Sequence, residues 1–351
     1  MNRPGRVGGA RRGSVRAVGL LAAGMAVLLT AGCGLFGGDD SGNEASSNTT
    51  AKAGPLEKTT INVGVMLGVD CTGAQLGILK DLFKEQGLTV KPETVQSGAV
   101  AIPKLAGGSL DFTFGNWVSF MKAQASGSAD LKFVSESYIA PPNSNFALIA
   151  APNSGIRSVK DLVGKKVAVN VKGNINELLM RAVFEANDVD FNSVELKEMA
   201  FPDMAGALQA GTVDAASILD PFVSDAQKDF GAKIVVDLTG DGPTGDFPVA
   251  GFATTAKFAK ENPNTVKAFQ RALLKGQQLA SDRKNVEWAL PKFAKMPPET
   301  ASIVRLGQYP TTIDPKRLQR VSDLLSSYGM MPNGAKLEVK PLVIPMPTST
   351  S

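Results

Sequence analysis

The chain has 351 residues, 43% of them apolar and 20% charged, with 37 basic against 33 acidic side chains, enough for about two domains with buried cores. The formal +4 belongs to the start of the chain, because Arg3, Arg6, Arg11, Arg12 and Arg16 precede Cys33 without an acid among them and the remainder carries 32 bases against 33 acids; a nucleic-acid partner is therefore not expected. There is no histidine, which removes the usual general base and the commonest catalytic metal ligand, so no catalytic residue, metal or cofactor is expected.

In chain order, residues 1–32 read as an export signal: arginines, then the apolar run VGLLAAGMAVLLTAG over 18–32, which falls short of the roughly 20 residues of a membrane-spanning helix. LTAGC, ending at Cys33, resembles a bacterial lipobox, with Thr30 where many carry leucine. The resemblance implies cleavage before Cys33 and lipidation of it, several acyl chains together giving a stable anchor on the outer face of the cell membrane. Arg11-Arg12 leaves twin-arginine export open beside the general route. Residues 33–57, rich in Gly, Ser, Thr and Asn, read as a lipid-anchored flexible tether. The only other cysteine, Cys71, then has no disulfide partner within the chain and is most simply a small buried apolar residue.

From residue 58 short β-rich runs alternate with helical patterns: TTINVGVML, GAQLGILKDLFKEQ, LTVKPETVQ, AVAIPKLAGG and LDFTFGN. Pro103 is expected in the first turn of its helix, where its missing amide hydrogen is harmless. A second series follows: KKVAVNV, INELLMRAVFEAN, VELKEMAF, DMAGALQAG, VDAASIL, PFVSDAQKDF and KIVVDL. Near residue 252 the pattern shifts to long helices, with Asn262-Pro263 and Asp314-Pro315 as cap and first-turn pairs. In the last of them Leu318, Val321, Leu324, Leu325 and Tyr328 share one face. Residues 332–351 read as an irregular tail. Alternation of this kind predicts an α/β layered fold.

Within the second series, AVNVKGNINELLMR runs strand, glycine turn, helix. Such a helix start offers amides to an anion, while the plainer expectation is that Asn174 caps the helix and Glu177 completes a capping box. The glycine patterns of nucleotide-binding loops are missing.

Four stretches carry a resemblance to one family: SGAVAIPKLAGGSLDF, SGIRSVKDLVGKKVAV, FPDMAGALQAGTVDAASILDPF and KENPNTVKAFQRALL. They resemble, in order and over 60–331, the nitrate/sulfonate/taurine solute-binding proteins of ABC transporters, relatives of the thiamine-pyrimidine-precursor binders. The resemblance implies a type II periplasmic-binding-protein-like fold: two α/β lobes, each a mixed sheet flanked by helices, joined by two crossing strands near 146–151 and 249–254. Lobe 1 is expected over 58–148 plus 252–331 and lobe 2 over 149–251. It further implies a monomeric extracytoplasmic lipoprotein that captures a small solute between the lobes and delivers it to an ABC permease and its ATPase.

Ligand crevices of open α/β sheets lie beyond the carboxyl ends of the strands. That rule and the family pattern together select Asp70 and Thr72 after the first strand, Ser97 and Gly98 after the second, Asn116 and Trp117 after the third, and Lys172, Asn174, Asn176 and Asp220 in lobe 2. Asp203 is expected to cap its helix. With Asp70, Glu177 and Asp220 expected near the cleft and Lys172 alone opposing them, a bare inorganic anion is disfavoured. A small organic solute with an amine-bearing or planar part, sulfonate/taurine-like or aminopyrimidine, is expected instead. A pyrimidine-precursor synthase-like enzyme and a surface scaffold lipoprotein are the competing readings; the first calls for a histidine this chain lacks.

Overall fold

The computed structural model describes residues 54–140, 146–240 and 242–347. The export signal, Cys33 and the tether up to residue 53 lie outside the described residues. The first segment runs β1 (Thr60–Val65), α1 (Thr72–Leu79), α2 (Leu82–Glu85), β2 (Thr89–Thr94), α3 (Gly98–Ala106), β3 (Phe112–Asn116), α4 (Trp117–Ser126) and β4 (Leu131–Ala140). The second runs β5 (Phe146–Ala150), β6 (Lys166–Val169), α5 (Ile175–Ala186), β7 (Glu195–Glu198), α6 (Phe201–Gln209), β8 (Ala215–Leu219), α7 (Phe222–Phe230) and β9 (Lys233–Asp237). The third returns with β10 (Phe247–Thr255), α8 (Ala256–Glu261), α9 (Pro263–Ala280), α10 (Arg283–Phe293), α11 (Pro298–Ala301) and α12 (Pro315–Ser327).

Two mixed five-stranded sheets result among the described residues, in the orders β2-β1-β3-β10-β4 and β7-β6-β8-β5-β9. β1 is parallel to β2 and β3, while β10 is antiparallel to β3 and β4. The second sheet repeats the plan, with β6 parallel to β7 and β8 and β5 antiparallel to β8 and β9. In each sheet the antiparallel strand is the first one the chain makes on arriving from the other. The chain leaves the first sheet at Ala140 and pairs in the second from Phe146; it leaves the second at Asp237 and pairs in the first from Phe247. The stretches expected to cross between lobes, 146–151 and 249–254, are therefore already inside their destination sheets. Their continuous apolar character reflects burial on both faces of central strands, not passage between lobes.

α9 covers the first sheet with buried Val266, Phe269 and Leu273. Phe269 stacks on Phe112 with ring centres 3.9 Å apart and meets Phe252 edge-on at 5.5 Å; each such ring contributes roughly 1.5–3 kcal/mol by burial. α12 buries Leu318, Val321 and Leu325, with Leu324 and Tyr328 half-covered. It is fixed to β4 by a buried charge: Glu136 takes two bonds from Arg317, at 3.0 and 2.8 Å, and one from the Asp314 amide at 2.9 Å. All three donors are needed, because a buried carboxylate is tolerated only when paired and hydrogen-bonded.

Two local expectations change. α3 starts at Gly98, where Ser97 caps it by accepting from Val100 N–H at 3.3 Å, so Pro103 sits in the second turn instead of the first. The tail after residue 331 lacks long elements but is packed: Val339 is buried, and Ile344 N–H donates to Phe133 at 2.9 Å.

Candidate functional site

The carboxyl ends of β1, β2 and β3 in one sheet face those of β6, β7 and β8 in the other across a common cavity. Met66, Gly68 and Asp70 follow β1; Val95, Gln96 and Ser97 follow β2; Asn116 ends β3. From the second lobe, Asn170 follows β6, Ala200 and Phe201 follow β7, and Leu219 and Phe222 flank the end of β8. The main cavity holds about 150 Å³ and is continued by a chamber of about 30 Å³. Met66, Asp70, Asn170, Phe201 and Leu219 line both. At about 30 Å³ per water, the main cavity equals some five waters and suits a solute smaller than a drug-sized ligand.

The wall is mostly apolar, and one carboxylate stands in it. Asp70 is 6% exposed, and its Oδ1 has no hydrogen-bond partner among the described residues. Burial pushes its carboxyl up to about 7, because the charged form loses its hydration. The residue at 68 must be glycine for this arrangement: a Cβ there would lie 2.3 Å from Asp70 Oδ1. Among the described residues neither lysine nor arginine lines the cavity or its chamber. Positive potential is supplied instead by helix starts: Ser97, Asn116 and Asn174, the caps of α3, α4 and α5, all line the smaller chamber.

At the start of α5, Asn174 Oδ1 accepts from Asn176 N–H at 3.2 Å. Glu177 folds back as expected, though onto Gly173 N–H at 2.8 Å, one residue before the cap, while its other oxygen takes Arg181. The glutamate is thus consumed locally. Asn176, fully buried, donates to Ser217 O and Oγ at 2.9 and 2.8 Å and leaves its own Oδ1 without a partner among the described residues.

Of the residues selected from sequence, Asp70, Ser97, Asn116, Asn174 and Asn176 line the cavity or its chamber. Five do not. Trp117 is fully buried in the core of the first lobe, 5.1 Å from Phe133 and 6.0 Å from Phe120. Its position one residue after a strand end suggested the cleft, but successive side chains of a helix point about 100° apart, and Trp117, first in α4, turns into the core while its cap Asn116 faces the chamber. Thr72 is buried in α1 behind Asp70. Gly98 packs on the next strand, where a Cβ would lie 2.9 Å from Gly115 Cα. Lys172 lies in an outer groove on the opposite side of Asn174. Asp220, fully buried, binds Ser224 N–H and Oγ through Oδ1 and the Arg305 amide through Oδ2 at 2.7 Å. Burial raises its carboxyl, yet every oxygen is occupied. Asp203 falls in the first turn of α6, not at its cap, which is Ala200.

The apolar wall includes Met66, Phe201 and Leu219, none of them selected from the sequence. Its signal was present: each of these residues sits within three positions of a strand's carboxyl end. Further contacts join the lobes outside the cavity. Lys122 Nζ donates to Gly173 O at 2.6 Å, Lys228 pairs with Glu299 at 3.0 Å, and Arg320 donates to Gly245 O at 2.9 Å.

The NMT1/THI5-like family model matches residues 69–284. A Bacillus subtilis protein named for binding aliphatic sulfonates is 29% identical over 258 residues, covering 73% of this chain and 72% of its own length. The taurine-binding periplasmic protein of Escherichia coli is 26% identical over 256 residues, covering 73% and 76%. Among solved structures, the alkanesulfonate-binding protein of Xanthomonas axonopodis pv. citri bound to MOPS superposes with a TM-score of 0.71 at 22% identity, over 83% of this chain and 99% of that one. Two mixed sheets facing each other across strand ends, and a family match over most of the folded part, make the chain a member of the NMT1/THI5-like family with the periplasmic-binding-protein fold.

Proposed function

We propose that the protein is the substrate-binding component of an ABC importer, held on the outer face of the membrane by lipid on Cys33. It captures a small organic solute between its lobes and hands it to a permease. The observation that carries this reading is the cavity itself. It is closed by strand ends from both sheets, walled by apolar side chains, and furnished with two buried oxygens, Asp70 Oδ1 and Asn176 Oδ1, that have no hydrogen-bond partner among the described residues. Buried acceptors of this kind are costly unless something donates to them.

Asp70 narrows the solute. At an effective dielectric near 20, a unit negative charge 4 Å from an ionised carboxylate is opposed by about 4 kcal/mol, and among the described residues no lysine or arginine lines the cavity to offset that. In that ionised state a bare anion such as nitrate is opposed, and a group that donates to Asp70, an amine or amidine nitrogen, is favoured because its charge holds the carboxyl below the value of about 7 that burial alone gives it. The sulfonate and taurine names of the relatives agree with a small polar organic solute, and taurine carries such an amine.

A carrier rather than a catalyst is favoured by the residues present. Cys71 is buried beside Asp70 with its thiol pushed up by burial, the reverse of an activated nucleophile. A thermal-shift screen of sulfonates, amino acids, amines and aminopyrimidines on protein lacking residues 1–33 tests the reading, since a ligand bound only by the native state raises the melting temperature by mass action. A shift confined to one solute class supports the carrier; no shift with any class favours a scaffold.

A further inference from the structure

We infer that the outer groove beside the cavity is a second subsite, which takes the anionic end of a solute whose amine end lies at Asp70. The inference rests on the carrier reading and adds the place of the opposite charge. The groove holds about 390 Å³ and adjoins the inner chamber at Asn174, which lines both. Lys122 of the first lobe and Lys172 of the second both line it, and among the described residues no acid does. These are the lysines that the inner cavity lacks. Ser119 also lines the groove; it is 7% exposed, and its Oγ has no hydrogen-bond partner among the described residues.

Lys122 Nζ spends one bond on Gly173 O at 2.6 Å, which leaves an ammonium two more donors. Lys172 gives its backbone N–H to Glu198 at 2.6 Å, and its ammonium lies within charge range of Glu195. Glu198 and Glu177 stand at the rim, each accepting from a backbone amide, and Glu177 is further held by Arg181. A sulfonate, phosphate or carboxylate group in the groove therefore lies among Lys122 and Ser119 of one lobe and Lys172 of the other. An anion placed there favours the closed arrangement, because it is bound by groups that come together only on closure. A group of this charge placed in the inner cavity would face Asp70.

The test is calorimetric titration with ω-aminoalkanesulfonates of increasing chain length and with the matching unsulfonated alkylamines. In the wild-type protein the sulfonate of matching length should bind about tenfold tighter than its amine, the yield of roughly one partly screened ion pair. That gap should shrink in Lys172→Gln, shrink less in Ser119→Ala, and shrink in the wild type as salt is raised. A sulfonate advantage that survives Lys172→Gln, or its absence in a wild type that binds the amines, overturns the groove and leaves the carrier standing. Binding of neither series overturns the groove together with the amine-bearing solute, and the thermal-shift screen then decides the carrier separately.

Discussion

Arg305 donates its backbone N–H to Asp220 Oδ2 at 2.7 Å, tying the end of β8 in the second lobe to the segment that follows α11. Asp220 thus serves the cleft from outside it. Leu219 lines the cavity, Asp220 turns away to tie the second lobe to the first, and Phe222 lines the cavity again.

Asp220→Asn weakens this fastening with little change in volume. Only the population of the closed form changes, so apparent affinity should fall by the same factor, about three- to tenfold, for every solute that binds. Titration of two chemically different ligands checks it; a loss specific to one ligand would place Asp220 in direct contact with solute instead.

Asp70 makes stability depend on pH. Its folded carboxyl titrates at about 7 and an unfolded aspartate near 3.9. The folded state therefore holds the proton more tightly, and stability falls as pH rises from about 4 through 7. At about 1.4 kcal/mol per pH unit the loss is on the order of 4 kcal/mol at most. Asp70→Asn, which resembles the neutral acid, should melt above the wild type at pH 8 and close to it at pH 4.5 when no ligand is present. Equal melting temperatures at pH 8 would mean that Asp70 is solvated.

Asn176 combines structure and recognition. Replacing it with alanine strips Ser217 O and Oγ of their shared donor and should cost about 1–3 kcal/mol of stability, besides removing an oxygen of the chamber. Chemical denaturation of the unliganded variant measures the first effect. An unaltered midpoint would show that Asn176 is free to serve ligand alone.

The two tryptophans report the core. Trp117 is fully buried, whereas Trp288 is 41% exposed with Lys80 and Lys292 each 4.4 Å from its ring centre. Acrylamide should quench one emitting component and spare a blue-shifted one that disappears in Trp117→Phe. Gly251→Ala should disturb that same component, since its Cβ would lie 2.2 Å from the Trp117 ring; overpacking of this kind costs about 1–3 kcal/mol. A Trp117 signal that responds to solute binding while Gly251→Ala is tolerated would return Trp117 to the cleft.

Strand ends were legible in the sequence, and so were the residues just beyond them, because the alternation of strand and helix fixes which end of each strand opens a helix. Asp70, Ser97, Asn116 and Asn174 followed from that together with the family pattern. Less legible was which way a side chain turns at a helix start: Trp117 and Asp220 sit next to cavity residues yet point into the core and the clasp. Lys172 lines the outer groove and not the cavity, while Asn174, two residues on, lines both groove and chamber. The crossings were misread because buried central strands and bridging strands share the same unbroken apolar pattern.

The most direct test is isothermal titration of the processed protein with taurine and other small aminosulfonates, alkylamines, aminopyrimidines and nitrate, in parallel with Asp70→Asn. An amine-bearing organic solute should bind at one per chain, and Asp70→Asn should weaken it about a hundredfold, the loss expected for a buried charge-assisted hydrogen bond of nearly 3 kcal/mol. Tight binding of nitrate with no organic amine bound, or a solute indifferent to Asp70→Asn, would contradict the account.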